Sequence, residues 1–237
     1  MNKRFLLASA AVAVIASSGQ AQAGDFYVSV LGGANWARDF SANVTECCGT
    51  TTGHASAKVD TGFMIGGAVG VHLDHWLHGL RAELEASYRR NRIHGDWFTS
   101  SESSSETGVF RGHMSAFAIM ANLWYDIDIG MKFVPYVGGG AGWGRRQVTF
   151  VANESDDLRM ESNFGRDSVY LERSGFVYQL GAGVNYEIMH DVQLGLGYRF
   201  FHAQDIKGTL EIDENDAPLN ISGDNHSVAL SLTIGID

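Results

Sequence analysis

Residues 80–89 read Leu80-Arg81-Ala82-Glu83-Leu84-Glu85-Ala86-Ser87-Tyr88-Arg89, a strict alternation. Leu80, Ala82, Leu84, Ala86 and Tyr88 share one face; Arg81, Glu83, Glu85, Ser87 and Arg89 share the other. A period of two is that of a strand, because successive side chains point to opposite sides. A charged face directly behind an apolar one has no place in a sheet buried on both sides. It fits a closed sheet whose outer face meets lipid and whose inner face lines a polar lumen.

The same period recurs along the chain. It runs through residues 26–36, 61–72, 114–125, 133–143, 176–187, 192–200 and 227–236, and with 80–89 this predicts eight strands with no competing helical period. The connections alternate in length. Short turns lie near residues 74–78, 127–132 and 188–191, and long polar segments at 39–60, 91–112, 145–174 and 203–225. Three short turns and four long loops suit an even-stranded up-and-down barrel with both termini at the periplasmic end and the long loops outside.

Aromatic spacing points the same way. Phe26 and Trp36 bracket one strand, and Phe133 and Trp143 bracket another at the same separation. Ten residues at ~3.4 Å, tilted about 40°, climb roughly 26 Å, close to the apolar band of such barrels. Tyr186 is expected at the periplasmic girdle, and Trp36, Trp143, Tyr198 and Phe200 at the outer one.

Composition is compatible. With 237 residues the chain has room for one all-β domain, and 29 Gly against 2 Pro favours closely spaced twisted strands. A mean hydropathy of −0.07 does not advertise a membrane protein, yet alternating strands average to near zero. The formal charge of −10 argues against nucleic-acid binding. Lys3 and Arg4, the apolar stretch 5–17 and Ala21-Gln22-Ala23 form a secretory signal pattern. The expected division is a signal peptide over 1–23 and a barrel domain over 24–237. Cys47 and Cys48 are the only cysteines. As neighbours in a loop they could form a vicinal disulfide, bond to another chain, or stay unreactive.

On these residues the chain resembles the small outer-membrane barrels, namely the OmpA-like transmembrane domain and the Opa-type opacity surface antigens. The resemblance rests on Phe26-Tyr27-Val28, on residues 135–142 (Pro135-Tyr136-Val137 followed by a Gly-rich run), on Gly197-Tyr198-Arg199-Phe200 and on the closing His226-Ser227-Val228-Ala229-Leu230. It departs in ending Gly235-Ile236-Asp237, where such proteins usually end on an aromatic residue. The resemblance implies an all-β, eight-stranded transmembrane barrel in the bacterial outer membrane. It also implies a role at the cell surface, with outer-membrane lipids as surroundings.

Three groups of residues invite a chemical reading. Arg81, Glu83, Glu85, Arg89, Glu187 and Arg199 are expected to face the lumen. An eight-stranded barrel is filled by side chains, so these charges should pair and plug it; the rival reading is a gated ion path. His72, His75 and His78 recur every third residue around the first short turn, but a turn does not set their directions, and no metal is expected. Asp224, His226 and Ser227 lie close together, yet alternation sends His226 and Ser227 to opposite faces, and no nucleophile elbow is present. No catalytic residue and no cofactor is expected. The reading is a non-catalytic surface barrel serving envelope integrity or contact with host or cell-surface ligands through the four long loops. The alternatives are a small transport barrel, a lipid-modifying or proteolytic barrel, and a soluble lipocalin-like barrel.

Overall fold

The computed structural model describes residues 26–45, 52–100, 105–153, 169–212 and 215–236. The segment 1–23, expected to be a signal peptide, and the Cys47–Cys48 pair lie outside them. Every regular element described is a strand: β1 (Phe26–Ala37), β2 (Phe40–Thr45), β3 (Thr52–Val59), β4 (Gly62–His72), β5 (Leu80–Ser100), β6 (Ser105–Asp126), β7 (Phe133–Asn153), β8 (Val169–Met189), β9 (Val192–Ala203), β10 (Ile206–Ile212), β11 (Asn215–Ile221) and β12 (Asp224–Ile236).

Eight of them close into a ring. The order β5-β4-β1-β12-β9-β8-β7-β6 returns to its start through the β5–β6 pairing, and all these pairings are antiparallel. Each of the eight lies beside its predecessor and successor in the chain, and β1 meets β12 with Phe26 opposite Ile236. Closure removes the sheet edges that would otherwise leave backbone donors and acceptors unpaired in lipid. Phe26, Ile236 and the short turns after β4, β6 and β8 share one end of the barrel.

The two faces differ as the period predicts. Val30, Ile65, Leu123, Leu180, Leu196 and Leu230 are exposed on the outside, while Tyr27, Met64, Trp124, Gln179, Arg199 and Ser227 are buried inside. The apolar side chains that would form the core of a soluble protein face outward.

The long polar segments at 91–112, 145–174 and 203–225 are not simply loops, which corrects the expectation. β5, β6, β7 and β8 run on for 21 or 22 residues. At ~3.4 Å per residue and about 40° of tilt this climbs roughly 55 Å, about twice the apolar band. Segment 39–60 likewise contains the β2–β3 hairpin, whose β3 pairs with the outer part of β5 from Val59 opposite Ile93 onward. Segment 203–225 contains the β10–β11 hairpin.

The polarity of the alternation inverts where the strands leave the membrane. Below Arg89 apolar residues point out and polar ones in; above it Arg92 and His94 point out while Ile93 is buried. Ala57, Ile93, Met114, Val148, Ile206 and Ile221 form a second, apolar core inside the outer half, with Phe40, Phe110, Phe150 and Leu171 packed against it. Ile206 and Ile221 come from the β10–β11 hairpin, which therefore folds inward over the mouth.

Candidate functional site

The interior is stacked in layers, beginning near the short-turn end. Arg81 on β5 grips Asp126 on β6 with two hydrogen bonds, Nε to Oδ2 at 2.7 Å and Nη2 to Oδ1 at 2.8 Å. It also donates to Tyr27 Oη, which donates in turn to Glu83 Oε2, each at 3.2 Å. Glu83 Oε1 accepts from Asn122 and from the Trp124 indole, both at 3.3 Å.

Glu85 organises the next layer. Its Oε2 accepts from Arg199, from Gln179 at 3.0 Å and from Asn122 at 3.1 Å. β5 and β9 stand opposite one another in the ring of eight, so the Glu85–Arg199 pair spans the lumen. The Arg199 guanidinium lies 5.0 Å from the Trp124 ring centroid. A void of about 20 Å³ between Ser29, Arg81, Glu83, Asn185 and Arg199 adjoins these layers. That is room for water and not for a solute.

Arg89 sits higher, fully enclosed. Its Nη1 donates to Ser87 Oγ at 2.9 Å and its guanidinium stacks 4.0 Å from the Phe201 ring centroid. Its Nε and Nη2, and Glu85 Oε1, have no partner among the described residues. Above it Asn35 bridges Asn91 at 2.6 Å and Asn225 at 3.1 Å, and accepts from Ser227 at 2.8 Å. Arg146 then reaches Met114 Sδ and the carbonyls of Ile221 and Ser222, the last at 2.6 Å, tying the barrel wall to the end of the β10–β11 hairpin. Burial pulls the Arg146 guanidinium down to about 10.

Of the six charges expected in the lumen, Arg81, Glu83, Glu85, Arg89 and Arg199 are buried there. Glu187 is not. Its parity is correct, but it is exposed, opposite Gln193 beside the irregularity at Glu187/Met189 where β8 turns into β9. The sequence reading missed Tyr27, Asp126, Gln179, the asparagine layer and Arg146. Alternation alone would have found Tyr27, Gln179 and Asn35.

Glycines make room for the bulky interior. A Cβ on Gly70 would lie 2.1 Å from Tyr27 Cζ, and one on Gly197 would lie 2.2 Å from Tyr136 Oη. On the outside, Trp36, Trp143, Tyr186 and Tyr198 are exposed, Phe26 and Phe200 are half-buried, and the exposed Phe133 packs on Tyr186 with centroids 4.8 Å apart.

The histidines spread out. His75 and His78 are exposed at the first turn, His78 lying 3.4 Å from Asp74, while the His72 ring lies tilted against Tyr27 with centroids 5.3 Å apart. His226 and Ser227 do face opposite ways, His226 toward Tyr198 Oη and Ser227 toward Asn35. Two other histidines have acidic partners: His202 meets Asp224 at 2.7 Å and His94 meets Asp60 at 3.2 Å. Among the described residues no serine, threonine or cysteine is hydrogen-bonded to either imidazole.

A closed ring, a lipid-facing apolar band and a polar interior are the architecture of an outer-membrane barrel. The model of the outer membrane protein beta-barrel domain family matches residues 5–233. The chain belongs to that family. This outer-membrane barrel is accordingly a protein of the bacterial outer membrane. A relative named "Outer membrane protein" from Gluconacetobacter diazotrophicus is 31% identical over 184 residues, which are 73% of this chain and 45% of the relative. The chain thus spans less than half the length of that relative. Among solved structures, the outer membrane protein OprG from Pseudomonas aeruginosa is similar in fold at TM-score 0.53, with 15% identity over 90% of this chain and 97% of that one. Neisserial surface protein A matches at TM-score 0.49 and 16% identity over 89% of this chain and 97% of its own.

Proposed function

We propose that this protein is a closed, non-catalytic surface barrel that contributes to envelope integrity and presents its outer strands for contact with other surfaces. The observation that carries the reading is the apolar core of Ile93, Met114, Val148, Ile206 and Ile221 at the outer mouth, above the charge-paired lumen. A transport path would need a wet route past that core. A platform for contact needs the opposite, a rigid support, and the 21- and 22-residue strands capped by two hairpins supply it. Recognition concentrates on such displayed segments. The segments expected to make contact are those at 39–60, 91–112, 145–174 and 203–225.

The test compares cells making the full protein, cells making a variant in which a short Gly/Ser turn replaces residues 206–221, and cells lacking it. Heat-modifiable gel migration confirms that the variant folds. Loss of the whole protein should raise detergent sensitivity and lower adherence. The hairpin variant should lower adherence while leaving detergent resistance largely intact. Unchanged sensitivity and adherence on complete loss would contradict the reading.

A further inference from the structure

Above the aromatic rim, one wall of the barrel turns cationic. Arg90 and Arg92 follow Tyr88 on the outward face of β5, and all three point away from the lumen. The register sets Arg92 directly opposite His113 on β6. It sets Lys58, His94 and Arg111 in one row across β3, β5 and β6. Lys58, Arg90, Arg92 and Arg111 are all exposed.

Lys58 and Arg111 flank His94, one row beyond Arg92, so the wall concentrates positive charge that an anionic partner would complement. Two aspartates flank the row without bridging its cations. Asp60 lies 3.2 Å from His94, and Asp96 accepts from Ser56 at 3.1 Å. Among the described residues no carboxylate is within ion-pair distance of Lys58, Arg90, Arg92 or Arg111. Arg145 on the neighbouring β7 is held by Glu172 at 2.5 Å. A chain of net charge −10 therefore gathers four of its 17 Lys and Arg residues in one patch, without an ion pair among the described residues.

Height identifies what lies opposite. Arg90 and Arg92 stand two and four residues beyond Tyr88, roughly 5 and 10 Å above it on a strand tilted about 40°. That is the zone of polar headgroups. Directly below, Phe63 and Tyr88 pack with centroids 6.2 Å apart, and Tyr88 faces Phe117 across the β5–β6 pair. The surface is therefore continuous, with aromatic rings at acyl-chain depth and guanidinium groups at headgroup depth. We propose that it is a binding site for a phosphate-bearing lipid of the outer leaflet. The acyl chains would lie on the Phe63–Tyr88–Phe117 wall. The phosphates would be gripped by Arg92 and Arg111, whose planar donors match phosphate oxygens, with Arg90 and Lys58 adding charge.

The experiment uses the folded full chain in nanodiscs of phosphatidylcholine doped with bis-phosphorylated lipid A or with its dephosphorylated form, and lipid retained on release is read by native mass spectrometry. The wild type should retain the phosphorylated lipid selectively. Retention should fall about tenfold or more in Arg92→Gln/Arg111→Gln, since each cation near a charged surface contributes on the order of 1 kcal/mol. Arg92→Lys/Arg111→Lys should keep most of it, and Lys132→Gln, a charge loss at the exposed turn of the opposite end, should keep all of it. Equal retention of both lipids, or undiminished retention by the Gln variant, would overturn the proposal. So would binding of soluble heparin through Arg92 and Arg111 without any preference for the phosphorylated lipid.

Discussion

Glu85 and Arg89 lie four residues apart on one strand and face one interior, but their situations differ. Glu85 Oε2 accepts from three side chains, and one of them, Arg199, reaches it from the opposite wall. Removing one partner of a buried pair strands the other, at about 3–5 kcal/mol. Arg199→Met is therefore expected to lower the unfolding free energy in detergent by roughly that amount. Arg89 keeps two donors unpartnered among the described residues and leans on Phe201, so Arg89→Met should cost less than about 1 kcal/mol or even stabilise. Urea titration of both variants decides whether the lumen charges act as pairs or as a collective. Single charges in the third strand run were legible as interior because alternation fixes side; who meets whom was not, because that depends on which strands end up opposite in the ring. Glu187 shows the limit: parity cannot say how far along the barrel axis a residue sits.

A pH dependence belongs to the same scale. The hydrogen bond from His202, with Arg38 at 3.7 Å, holds the Asp224 carboxyl below the ordinary aspartate value at the outer rim. A carboxyl depressed in the folded state adds stability above its unfolded value, and loses that contribution as pH falls through the folded one. Wild type and Asp224→Asn should therefore differ in stability by a constant amount from neutral pH down to the ordinary aspartate range, and converge below it. A difference that persists undiminished in strong acid would show that the carboxylate charge is not the cause.

At the scale of elements, the interior is shaped as much by glycine as by charge. Gly70 leaves the space that Tyr27 occupies, so Gly70→Ala should push the ring off Arg81 and Glu83 and cost about 1–3 kcal/mol. Gly67, on the same strand, would place its new Cβ 3.5 Å from the Ser29 carbonyl, an ordinary contact, and Gly67→Ala should change stability by less than about 0.5 kcal/mol. The Gly-rich faces were visible in the sequence, but their purpose was not, because each glycine answers a bulky residue on another strand. The outer halves of β5, β6 and β7 were hidden for a different reason. Outside the bilayer the outward face meets water, so Arg92 and His94 alternate with Ile93 in the opposite sense to Leu84 and Glu85 below. A segment whose polarity inverts reads as a polar loop unless the inversion itself is recognised. Hydrogen exchange in nanodiscs should find peptides covering 91–96 and 107–114 protected like those covering 80–88; exchange at loop rates would contradict the extended strands.

At the scale of the molecule, the eight spanning strands and their alternating connections were legible because lipid outside and polar groups inside impose one rule on every strand. Of the cationic patch, the sequence shows Arg90 and Arg92 side by side in Arg89-Arg90-Asn91-Arg92, but only cross-strand register adds Lys58 and Arg111 to them. The cap was equally hidden, because the β10–β11 hairpin turns inward through Ile206 and Ile221 only once the outer halves exist to receive it. On the proposed reading, the paired charges, the asparagine layer and the apolar cap together close the barrel along its axis. Single-molecule current recording of the folded, heat-modifiable protein in planar bilayers tests that claim directly. The account predicts insertion without stepwise conductance, with or without salt bridges weakened by raised ionic strength. Stable, discrete conductance steps from the wild-type protein would contradict it.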